Sequence, residues 1–126
     1  MPACRVVFYR EADGSVPVLD WLRRAELRDQ GVAAKCYERF ARLAESGHEL
    51  RRPIADYLRD GIHELRVRKG TVNYRVLYFL HGTQVVVLAT GLSKEAAVPA
   101  RDIDRAIERR RRFAADPRLH TYDPGE

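Results

Sequence analysis

The chain has 126 residues, 45% hydrophobic and 33% charged, with a net charge of +5 and a pI of about 9.6. That length suits one domain with a sheet and a helical layer around one core, and the positive balance suits a polyanionic partner. No apolar run approaches transmembrane length, no apolar leader opens the chain, and Cys4 and Cys36 are the only cysteines, so the expectation is a cytoplasmic protein with reduced thiols and no membrane partner.

In chain order, residues 4–9 (CRVVFY) form a β-type run of β-branched and aromatic side chains. Residues 11–14 turn, Ser15 is placed to cap a helix, and Pro17 suits its first turn. Val18, Leu19, Trp21 and Leu22 make that helix amphipathic, and it closes near Gln30-Gly31. A second helix spans residues 32–46, with Ala33, Cys36, Tyr37, Phe40, Leu43 and Ala44 at helical spacing and Gly47 closing it. Trp21, Tyr37 and Phe40 are expected in the core. Residues 48–60 read as a connector.

Three strands then follow at 62–69, 72–80 and 84–90, separated by Gly70-Thr71 and His81-Gly82, the pattern of a meander. A last helix runs from about residue 99 to 114, with Ile103, Ala106, Ile107, Arg110 and Phe113 as its inner stripe, and Pro117 stops it. The expected fold is α+β: a four-stranded antiparallel sheet in the order β-α-α-β-β-β-α, with residues 1–116 as one domain and 117–126 as a flexible tail.

Period-2 alternation sends Arg66 and Arg68 to the face opposite Leu65 and Val67, and groups Asn73, Arg75, Leu77 and Phe79 on one face of the next strand. If Arg66 and Arg75 share a side of the sheet, they make a cationic surface on a rigid platform. Arg75 is also open to pairing with Glu64 across the strands. The four histidines are scattered without metal-ligand spacing, and no phosphate-cradling glycine loop or nucleophile elbow is present, so neither a metal nor a cofactor is expected. Cys36 lies on an apolar helical stripe, where it reads as structural.

The segments DGIHELR (60–66), YRVLYF (74–79), the apolar strand 85–90 and GLSKEAAVPARDIDRAIERR (91–110) together resemble the RelE-like toxin superfamily, and more closely its HigB-type and phage-derived branch. The resemblance covers roughly residues 60–112, and the β-α-α order ahead of it agrees. It implies the toxin of a type II toxin–antitoxin module: a metal-independent endoribonuclease that cuts messenger RNA in the ribosomal A site and stops translation. The implied partners are the ribosome with its message, and a helix-turn-helix antitoxin.

By the same resemblance, Arg75 falls at a phosphate-clamping arginine, Arg66 at a basic catalytic position, and Lys94 at a further cation after the last strand. Arg68 and Lys69 are candidates for gripping the RNA backbone. The chain departs from its relatives at Glu64, where some carry Lys, at Ser93-Lys94, where two lysines are common, and at Val98-Pro99-Ala100, where some place a tyrosine. A general base has no motif behind it; Tyr57, His63, His81, His120 and Tyr122 stay open for that role, the last two if the tail folds back to the basic face. The alternative is a catalytically silent binding module on the same fold, either a phage-derived host-inhibition factor or a corepressor bound to its antitoxin.

Overall fold

The computed structural model describes residues 4–93 and 97–125. They form β1 (Arg5–Tyr9), α1 (Pro17–Arg28), α2 (Val32–Ser46), β2 (Ala55–Arg59), β3 (Ile62–Lys69), β4 (Val72–His81), β5 (Val85–Ser93), α3 (Ala100–Ala115) and β6 (Thr121–Tyr122). The strands make one six-stranded mixed sheet in the order β2-β3-β4-β5-β1-β6. No helix among the described residues is long and apolar enough to cross a membrane.

The α+β class stands, whereas the four-stranded antiparallel sheet and the order β-α-α-β-β-β-α are corrected in three places. First, the connector contains β2, which pairs antiparallel with β3 through Asp56↔Glu64 and Tyr57↔His63. The chain reverses at Asp60-Gly61, whose φ values of 52° and 83° are the doubly positive pair that a tight hairpin turn needs. Second, β1 runs parallel to β5, from Arg5↔Val85 to Phe8↔Leu88. The chain leaves β1 into two helices rather than a hairpin, so β1 is free to take the open edge of β5. Third, Thr121–Tyr122 pairs with β1 and forms the far edge.

Side-chain alternation gives the sheet two apolar faces. α1 and α2 cover Leu65, Val67, Tyr74, Val76, Tyr78, Val86 and Leu88. α3 covers Ile62, Leu77, Phe79, Val87, Ala89 and Leu92 on the other side. Trp21 and Phe40 are buried as expected, but Tyr37 is 48% exposed. It sits at the margin of the α2 stripe and meets Phe40 edge-on.

Two helix details also differ. Val16 in extended conformation precedes α1, and Ser15 donates to the Asp13 carboxylate instead of capping the helix. On α3 the inward stripe is Ala106 and Phe113 with Ile103 and Ile107; Arg110 is exposed, and Arg109 turns toward the sheet.

Candidate functional site

The β3–β4 hairpin sets Arg66 directly opposite Arg75. Residues opposite each other in an antiparallel ladder share a face, so both guanidinium groups rise from the side that α3 partly covers. Two like charges so placed repel, and carboxylates offset this. Glu64, on the same strand and face as Arg66, is 4% exposed. Its Oε1 accepts from Arg66 Nε–H at 2.5 Å and lies 3.6 Å from Arg75 Nε. The position that resemblance marked as a departure is therefore the acid between the two arginines.

Asp56 stands opposite Glu64 on β2. Its Oδ2 accepts from Arg52 Nε–H at 2.9 Å and lies 3.5 Å from Arg66 Nη2. Arg52, Asp56, Glu64, Arg66 and Arg75 thus form one continuous network of three cations and two carboxylates. The Arg75 side chain is 12% exposed and that of Arg66 38%, which makes Arg75 the floor of the site and Arg66 its mouth. Asp56 and Arg52 escaped notice in the sequence because β2 did. The Asp60-Gly61 pair, a hairpin signature, is the signal that folds residues 55–59 back along β3 and brings them in.

The other expected site residues divide. Arg68 continues the Arg66 face and donates Nε–H to the Gly70 carbonyl at 3.1 Å. Lys69 points to the opposite face, where it pairs with Asp29 at the end of α1. The Tyr74 hydroxyl donates to the same carboxylate at 2.7 Å. Lys94 lies outside the described residues. Its neighbour Ser93 accepts from Trp21 Nε1–H at 3.0 Å, which ties the end of β5 to α1.

The histidines open for a general-base role are dispersed. His63 is on the α2 side, stacked on Tyr78 with ring centroids 5.1 Å apart, and burial holds its pKa below the ordinary value. His81 meets Phe113 edge-on. His120 stacks on Tyr9 and bonds the Arg10 carbonyl at 2.8 Å. Tyr122 pairs with β1 at the opposite edge of the sheet from β2. The carboxylates of Glu64 and Asp56 lie against the arginine pair. Among the described residues, no group of three His, Cys, Asp or Glu side chains is disposed to hold a metal.

A second charged cluster pins α3 to the sheet. Arg109 Nη1 donates to the Ala89 carbonyl and to Thr90 Oγ1, both at 2.8 Å, and the guanidinium lies 5.7 Å from the Tyr9 ring centre. Burial lowers its pKa, and Glu11, 3.7 Å away, opposes that. These contacts satisfy Arg109 inside the fold, so it acts as a brace for the helix that borders the arginine pair.

A family model described as "Phage derived protein Gp49-like (DUF891)" matches residues 20–111, from within α1 to within α3. No curated protein matches the chain.

Proposed function

The chain belongs to the Gp49-like family of phage-derived proteins, within the RelE/ParE toxin-like superfamily, and from that membership we propose that it is the toxin of a type II toxin–antitoxin module, of the HigB type. In this reading it cleaves messenger RNA in the ribosomal A site and is neutralised by a helix-turn-helix antitoxin. A toxin-like family implies an antitoxin partner. The observation that carries the reading is the facing pair Arg66 and Arg75, held on a rigid hairpin by one buried acid.

The chemistry needs no metal. The 2′-oxygen of a nucleotide attacks the adjacent phosphorus, the bond to the 5′-oxygen of the next nucleotide breaks, and a cyclic phosphate and a 5′-hydroxyl result. Negative charge gathers on the phosphoryl oxygens in the transition state, where cations positioned in advance are most effective. Arg75 is assigned the phosphate clamp, Arg66 a second cation at the mouth, and Lys94 a third that meets the leaving oxygen. Arg68, on the same face, is assigned the backbone grip, while Lys69 serves from the far face beside Asp29. The proton of the 2′-hydroxyl passes to a base, a role for which Glu64 and Asp56 are the carboxylates beside the arginine pair, and the departing 5′-oxygen takes a proton from solvent.

A catalytically silent binding module is the second reading. It is favoured by the same carboxylates, since Asp56 and Glu64 offset two of the three guanidinium charges. Translation in vitro with purified ribosomes and a defined message, followed by 5′-end mapping, separates the two. Wild type cuts within A-site codons only when ribosomes are present, and Arg75→Ala and Lys94→Ala abolish the cuts. An intact message with translation blocked assigns a silent ribosome-binding inhibitor. Intact message and normal translation, from protein shown to be folded, defeat the toxin reading.

A further inference from the structure

β2 brings to the sheet edge an aromatic residue that no motif singled out. Tyr57 pairs with His63 on β3, and His63 pairs with Tyr78 on β4. The three rings form a row across the strands: Tyr57 meets His63 edge-on at 5.1 Å, and His63 stacks on Tyr78 at the same distance. The inner end is closed, with Tyr78 3% exposed, and the outer end is open, with Tyr57 57% exposed. The open ring is fixed rather than free. Its hydroxyl accepts the Gly61 N–H at 3.0 Å, so both ends of the side chain are held. A cavity of about 380 Å³ lies beside it, lined by Leu50, Arg51, Arg52, Ala55, Asp56 and His63 as well as Tyr57 itself.

We propose that this cavity is a base-stacking subsite for single-stranded RNA. The Tyr57 ring takes a nucleobase, and Arg51 and Arg52 receive the adjoining phosphates. Single strands are held by aromatic faces for bases beside cations for the backbone, and both are here, Tyr57 on the edge strand and the two arginines in the segment that leads into it. A ring already immobilised loses little further freedom when a base stacks on it. The acids do not oppose the strand strongly: Asp56 Oδ2 is engaged by both Arg52 and Arg66. That carboxylate also links the subsite to the arginine pair, so an RNA strand rounding the sheet edge meets Tyr57 on one face and Arg66 and Arg75 on the other. The link to cleavage rests on the toxin reading; the stacking itself does not.

The test uses the whole protein and a twelve-nucleotide single-stranded RNA carrying 2-aminopurine, without ribosomes. Fluorescence reports stacking and anisotropy reports affinity. Wild type quenches the probe, and Tyr57→Leu loses the quench and binds about tenfold more weakly. Tyr57→Phe keeps the quench, since the ring survives, and Tyr37→Leu on the α2 surface changes neither. Thermal melts establish that each variant is folded. Equal quench and affinity in Tyr57→Leu, or no RNA binding by wild type, overturns the subsite. Stacking through Tyr57 in a protein that cuts nothing on ribosomes leaves the subsite standing and removes the toxin assignment. Ribosomal cutting with RNA binding indifferent to Tyr57 does the reverse.

Discussion

Glu64 is the residue on which the arginine pair depends. Truncating a buried ion partner leaves its counter-charges uncompensated, so Glu64→Ala is expected to lower stability by about 3 kcal/mol. Glu64→Gln keeps an acceptor for Arg66 and costs less; urea unfolding of both variants beside wild type measures the difference, and equal midpoints for all three would remove Glu64 from this role. Strand parity set Arg66 opposite Leu65 and separates Lys69 from Arg68, but that Arg66 and Arg75 share a face follows from the register of β3 against β4. Asp56 was not legible, because its place depends on which strand lies beside β3, and side-chain alternation within one segment carries no such information. A different group of residues sets the alkaline limit. Burial pushes the Cys36 thiol up to about 12, and the Tyr74 and Tyr78 hydroxyls likewise to about 12. These groups stay protonated in the fold while the unfolded chain ionises, so their contribution is complete below the ordinary thiol and phenol values near 9 and 10 and is lost as pH rises toward 12. Urea unfolding at pH 7.5, 9.5 and 11 is expected to give a flat response followed by a steep decline; unchanged stability at the highest pH would contradict these burials.

At the scale of elements, α1 lies close against β5 at Gly91. A Cβ on Gly91 would fall within the Trp21 indole, so only glycine lets the helix lie this near the strand. Gly91→Ala is expected to cost at least about 2 kcal/mol through overpacking. The emission of Trp21, the sole tryptophan, should shift to the red as its ring is displaced; unchanged emission and stability would show that α1 does not seat here. Most elements could be read from the chain because each carries a pattern longer than its noise. The meander shows in its apolar runs and glycine turns, and α1 and α2 in their stripes. β2 has no continuous apolar face, being an edge strand with Asp56 and Leu58 on one side and an exposed Tyr57 on the other. β6 is two residues long, shorter than any periodicity, and exists because β1 offers it a partner. The parallel β1–β5 contact was illegible for another reason, since nothing local in either strand specifies direction.

At the scale of the whole molecule, the sheet is terminated by β2 at one end and by β6 at the other. The second terminus is held by more than its ladder. Arg5 pairs with Asp123 at 2.5 Å, Arg10 Nε–H donates to the Leu119 carbonyl at 3.1 Å, and His120 stacks on Tyr9. Removal of residues 118–126 uncovers β1 and is expected to lower the melting temperature by about 5 °C or more, while leaving the Arg66–Arg75 geometry in place. Calorimetry of the shortened chain checks this, and an unaltered melting temperature would show the terminal segment to be dispensable. The same position of β1 governs how the protein comes into being. On a translating ribosome β1 emerges ahead of its neighbour β5, which leaves the tunnel only after both helices and the β2–β4 meander. β1 thus waits without its parallel neighbour through the synthesis of two helices and three strands, and the sheet closes around it only when β5 and then β6 arrive.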